Sequence, residues 1–206
     1  MWRIVICLFL LCSCFSKQQE IESLPFFNSS DFTPIFDSDK CSHRIAEFNF
    51  TDQNGKPISK KTFEDKVYVA NFFFTVCPGI CPTMTQNMIE IQNEFLEDST
   101  VLLLSHSVTP WIDSVGQLRK FATEKGILDS KYFLATGDEN EIYKMARSSY
   151  FIEKKQDVSD EEEEFVHSEN LVLIDEKYRI RGIYNGTSDK DIKRLIRHLK
   201  ILLKTY

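Results

Sequence analysis

Residues 67–75 are apolar at almost every position, and a run that short and that dense reads as a central strand covered on both faces. Beyond it, Met84, Met88, Ile91 and Phe95 recur at helical spacing, which predicts a stripe turned toward a core. The alternation then repeats. Residues 101–105 read as a strand, and Val115, Leu118, Phe121 and Ala122 as a helix that Asp113 would cap and Gly126 would end. Residues 132–136 form a further predicted strand, followed by a helix through Ile142, Met145 and Ala146. Residues 150–166 break the pattern as a charged insertion. After it, 170–175 and 179–184 read as a hairpin around Glu176 and Lys177, and Ser188 caps a last helix carrying Ile192, Leu195, Ile196, Leu199, Leu202 and Leu203. Upstream of all this, 45–50 and 57–59 flank Asp52-Gln53-Asn54-Gly55, a hairpin turn signal. Strands alternating with helices predict an α/β fold, with a central mixed sheet flanked by helices.

The first residues have a different pattern. Arg3 supplies a positive charge, residues 4–11 are apolar, and Leu11-Cys12-Ser13-Cys14 resembles a bacterial lipoprotein signal, with small residues before the cysteine that takes the lipid. The apolar run is too short to span a bilayer. The expected organisation is a signal over 1–13, a tether and lead-in over 14–43 beginning at lipidated Cys14, and one domain over 44–206. That places the mature chain in the bacterial cell envelope, lipid-anchored and facing the periplasm. A plain secretory signal is the alternative, and it would leave Cys14 without a role.

Net charge over the 206 residues is −6, and loss of Arg3 with the signal makes the mature chain more acidic still, which argues against a nucleic-acid partner. Much of the negative charge lies in 157–164, expected as a solvated loop.

Six cysteines are present, and Cys7, Cys12 and Cys14 are consumed by the signal and the lipid. Cys41, Cys77 and Cys81 remain, so one must be unpaired. A Cys77–Cys81 disulfide would close too short a loop to stabilise the chain much, which favours a reactive or metal-binding pair. Thiols at i and i+4 on an opening helical turn have Cβ atoms roughly 5 to 6 Å apart, close enough to share a soft metal ion. A helix N-terminus lowers a thiol's pKa, and the prolines at 78 and 82 suit such a position. Cys41 is expected as a bystander, with neighbouring His43 leaving open an accessory metal site.

The run from Asn71 through Thr75-Val76-Cys77-Pro78-Gly79-Ile80-Cys81-Pro82 to Met84, then Ser107-Val108-Thr109-Pro110-Trp111-Ile112-Asp113-Ser114, then Val166-His167 before the last hairpin, resembles the SCO/SenC family from about residue 45 onward. The resemblance implies a thioredoxin-like fold, with an N-terminal hairpin and an insertion before the last hairpin, that binds copper. It implies a partner as well: the copper-bearing subunit of cytochrome c oxidase, or another copper carrier, toward which the chain delivers metal or reduces thiols. By position Cys77 and Cys81 match the thiolate ligands and His167 the imidazole ligand. Two thiolates and an imidazole suit Cu(I), and one further donor would suit Cu(II); zinc also accepts such a set.

The chain departs from the family's pattern in carrying Val166 where an acidic residue commonly precedes the histidine, and Thr109 where Asp is common. Asp113, expected as a helix cap, is the lesser candidate for a place near the metal, and His106 at a strand end is an extra one. The competing class is an enzyme, a thiol-disulfide oxidoreductase or peroxidase with Cys77 attacking and Cys81 resolving. Oxidoreductases of this fold place a cis-proline opposite the pair, and this chain has no proline after Pro110. That favours a metallochaperone over an enzyme.

Overall fold

The computed structural model describes residues 23–152 and 168–205. The expectations for the signal, for Cys14, for the acidic run 157–164 and for His167 fall outside the described residues. β1 (Asn49–Thr51) and β2 (Pro57–Ser59) form the expected hairpin, whose turn needs a residue of positive φ and has Gly55 at φ 75°. The main sheet follows: β3 (Val67–Phe73), β4 (Val101–Ser107), β5 (Tyr132–Ala135), β6 (Asn170–Ile174) and β7 (Ile180–Asn185), in spatial order β5-β4-β3-β6-β7. β4 runs parallel to β3 and β5, while β6 is antiparallel to β3 and to β7. This is the mixed thioredoxin-like sheet.

Helices α1 (Cys81–Glu94), α2 (Val115–Lys125), α3 (Glu139–Lys144) and α4 (Asp189–Leu203) join and cover these strands. α2 stops where expected, at Gly126 in the left-handed conformation, and the Ser188 side chain accepts from the Asp191 N–H at the start of α4. A π-helical turn, Met145–Ser149, extends α3.

Strand parity divides the core in two. Val67, Val69 and Phe73 of β3, Leu103 of β4 and Leu171 and Leu173 of β6 point to one face, where Met84, Met88 and Ile91 of α1, Leu118 of α2 and Leu195 and Leu199 of α4 cover them. Tyr68, Ala70 and Phe72, Leu102 and Leu104, and Val172 and Ile174 point to the other, against Phe50, Phe63, Ile142 and Met145. Each of the fully buried Val, Leu, Ile, Met and Phe side chains contributes about 1.5 to 3 kcal/mol.

The described part of the lead-in is packed rather than free. Phe26 pairs with Ile35 in an isolated bridge, and Arg181 donates to the carbonyls of Leu24 and Pro25 at 2.8 and 3.0 Å. The Phe26 ring lies under the guanidinium groups of Arg179 and Arg181, 4.5 and 4.1 Å from its centroid, and buried Asp175 bonds both arginines. Nothing periodic in 24–35 announced this arm, because it is held by two arginines far along the chain.

Candidate metal centre

Phe73 is in register with Ser107, so β3 and β4 end at one edge of the sheet. From there the chain turns, with the Cys77 N–H donating to the Phe74 carbonyl at 3.4 Å, and enters α1 at Cys81 with Pro82 in the first turn. The expectation that both thiols share the opening helical turn is corrected here. Only Cys81 is helical: α1 begins there, and Cys77 lies four residues earlier in the turn that leads into it.

That displacement decides the electrostatics. Burial works to raise the Cys77 thiol, but the Cys81 thiol and the backbone N–H groups of Cys81, Gly79 and Ile80 all donate to its sulfur, and the balance holds it below the usual thiol range. Cys81 goes the other way: burial first, then its hydrogen bond to Cys77, push it up to about 12 against an opposing N–H from Phe74. The pair is free of a disulfide, with Cys77 partly exposed and Cys81 buried. The partly exposed sulfur of Cys77 is thus the easier of the two to ionise, and the buried sulfur of Cys81 the harder. The helix N-terminus does not lower Cys81, because desolvation outweighs it.

Asp113 is tied to this turn. It does not cap α2; Ser114 does, accepting from the Gln117 N–H. Asp113 is instead fully buried, and its carboxylate accepts from the Thr75 hydroxyl at 2.5 Å, the Thr75 N–H at 3.2 Å, the Ser107 hydroxyl at 2.6 Å and the Thr109 hydroxyl at 3.1 Å. Thr75 also accepts from Gln117. This clamp fixes the chain two residues before Cys77. Sequence reasoning missed it, although three hydroxyl residues at the ends of two predicted strands were a signal. On the same sheet face Ser105 donates to Asn71 and lies 2.7 Å from the Tyr132 hydroxyl.

His106 is not brought to the cysteines. It points to the opposite face with Leu102 and Leu104, stacked on Phe72 at 4.9 Å between centroids and enclosed by Phe48, Phe50 and Tyr150. Neither ring nitrogen has a hydrogen-bond partner, and burial pushes its pKa down to about 3. The accessory site at Cys41 and His43 is not assembled either: His43 Nε2 meets the Ser149 carbonyl at 2.9 Å and its ring packs on Phe151, while Cys41 is buried beside Arg44.

Two facing sulfurs, one ionised early, are a soft donor pair that fits a thiophilic ion such as Cu(I). Among the described residues no set of three or more His, Cys, Asp and Glu groups converges as a metal site. His167 is the residue that the sequence offers as a third ligand.

Comparison with known proteins gives a consistent answer. A family model described as SCO1/SenC matches residues 37–204. The chain is 30% identical over 165 residues to the SCO1 protein homolog of Bacillus subtilis, covering 79% of this chain and 84% of that protein. Among solved structures, it is similar to a SCO1/SenC family lipoprotein from Bacillus anthracis, with a TM-score of 0.68 and 32% identity over 78% of this chain and 95% of that one. It is also similar to BsSco, described as having a disulfide switch and as a member of the Sco family of cytochrome c oxidase assembly proteins, with a TM-score of 0.68 and 28% identity over 80% and 95%. Arabidopsis thaliana ScoI with copper bound superposes with a TM-score of 0.61 and 25% identity over 78% and 98%.

Proposed function

The chain belongs to the SCO1/SenC family, and from that premise we propose that it is a copper-binding protein of cytochrome c oxidase assembly, anchored through a lipid on Cys14 and facing the periplasm. Copper is held by Cys77 and Cys81, with His167 as the third ligand, and is passed to the dinuclear copper site of the oxidase. The observation that carries this reading is the asymmetric thiol pair. Cys77 offers a thiolate for capture, and Cys81 gives up its proton as the ion arrives, so loading is coupled to proton release and weakens as pH falls. In copper transfer the incoming thiolate meets Cys77 first. The anchor is supported by the sequence at Leu11 to Cys14; among the described residues no helix is long and apolar enough to cross a membrane.

Purification under reducing conditions followed by metal analysis tests the assignment. Copper should be retained by the unaltered chain and lost when Cys77 and Cys81 are both changed to Ser; equal copper in both preparations would reject the site. Changing His167 to Ala should weaken copper binding more than it alters the disulfide potential. Equal change in both would count against that ligand.

One observation favours a second reading. A lowered Cys77 above a proton-bearing Cys81 is also the arrangement of an attacking and a resolving thiol. On that reading the chain reduces the oxidised thiols of the oxidase site, and the assay is dithiol exchange with a copper-free, oxidised target domain.

A further inference from the structure

Few large apolar side chains stay exposed among the described residues, and three of them lie in the two segments that Asp113 and Thr75 join. Val76, 55% exposed, precedes Cys77; Trp111 and Ile112, 56% and 42% exposed, lie in the turn between β4 and α2. Asp113 makes one surface of these two segments. Its carboxylate holds the Thr75 N–H and hydroxyl, so Val76 and Ile112 each stand one residue from the same hydrogen-bonded pair. The clamp fixes both segments and covers neither. Exposed apolar groups gathered in this way mark an interaction surface.

The charge pattern indicates what kind. The chain has a net charge of −6 and 27% charged residues, yet no Asp, Glu, Lys or Arg occurs in 67–89 or in 99–112. Asp113 is the only such residue between 99 and 118, and it is buried in the clamp. Among the described residues, the two segments that the clamp joins beside Cys77 therefore present no charged side chain, on a strongly charged molecule. These two segments offer a partner no charge to pair with, whereas an uncharged apolar collar fits them.

We infer that Val76, Trp111 and Ile112 form the docking lip for a folded domain that presents paired thiols from an uncharged apolar collar and takes copper from Cys77. The inference rests on the proposed function. It adds to that function the chemistry of the acceptor's surface and the residues that recognise it. Transfer keeps the ion as Cu(I): each acceptor thiolate that joins it replaces one cysteine thiolate of this chain, and the proton shed by the incoming thiol passes to the sulfur set free. The lip holds the two sites together while these bonds exchange.

The test compares two acceptors for copper leaving the Cu(I)-loaded full chain. One is the soluble, copper-free domain that carries the dinuclear site of cytochrome c oxidase; the other is a small bidentate Cu(I) chelator. With Val76→Ser, Trp111→Ser and Ile112→Ser combined, transfer to the domain should slow at least about tenfold, the size of one lost interface anchor, while extraction by the chelator is unchanged. Ile112→Glu alone should act in the same direction. Unchanged transfer to the domain, or equal slowing with both acceptors, overturns the lip. A dimer of the unaltered chain that these variants dissociate would give the lip to a second copy and overturn it as well. Failure of the unaltered chain to pass copper to the domain while the chelator extracts it removes the acceptor and the lip. Failure to load copper at all refutes the proposed function instead.

Discussion

Asp113 and His106 are both fully buried polar side chains near the end of β4, and they sit on opposite faces of one sheet in opposite circumstances. Every donor around Asp113 points at it, and through Thr75 it reaches the cysteine turn. His106 has four aromatic rings around it and no partner for either nitrogen. Only seven residues separate the two along the chain. Strand parity places His106: Ser107, next to it on the other face, donates to Asp113, whereas His106 shares its face with Leu102 and Leu104 in the apolar core.

The largest expected effect comes from breaking the satisfied side. Asp113→Ala leaves three hydroxyls and one N–H without their acceptor, and each hydrogen bond to a charged group is worth about 1.5 to 3 kcal/mol. Loss of about 3 kcal/mol or more in denaturant unfolding is expected, together with faster and less selective alkylation of the two thiols as the turn loosens. If stability falls but the alkylation pattern of Cys77 over Cys81 stays fixed, the clamp supports the fold without positioning the thiols.

The unsatisfied side should respond with the opposite sign. His106→Phe replaces an orphaned ring by an apolar one of similar shape, and at neutral pH the chain should gain about 1 kcal/mol. Acid makes the contrast larger. With a folded pKa of about 3 against an ordinary 6.5, the unfolded chain binds a proton that the folded chain refuses, so stability is whole above about pH 6.5 and falls as pH drops toward 3. The slope is about 1.4 kcal/mol per pH unit in that window, and His106→Phe should remove it. Parallel stability curves for the two proteins between pH 4 and 6 would mean that His106 has a partner after all.

Much of this was legible in the chain. Dense apolar runs marked the strands because both faces of the sheet are covered, and Met84, Met88 and Ile91 marked α1 because a helix buries one stripe. The site was legible only in part. Cys77 read as helical because i, i+4 spacing suggested one turn, whereas α1 begins only at Cys81 and leaves Cys77 in the preceding turn. Asp113 read as a cap because Asp and Ser are both good caps, and Ser114, one residue later, took the role. His106 could have been placed by counting alternate positions back to Leu102. The clamp itself was out of reach, since Thr75 and Asp113 meet only when β3 and β4 lie side by side.

The smallest effect expected divides the same two influences, desolvation and donated hydrogen bonds, inside the thiol pair. Burial is the main reason that Cys81 is pushed up to about 12, and its bond to Cys77 is the second. Changing Cys77 to Ser keeps the first and removes a neighbour that can become charged. The Cys81 pKa should then drop but stay above the usual thiol range, read as thiolate absorbance against pH in the metal-free protein. The reciprocal change, Cys81→Ser, keeps the Gly79 and Ile80 N–H groups aimed at the Cys77 sulfur and keeps a hydroxyl donor, so Cys77 should remain lowered. An ordinary pKa for Cys81 in the first variant would mean that thiolate repulsion rather than burial sets the asymmetry. The proton released on copper loading would then come from the pair as a unit and not from the buried sulfur.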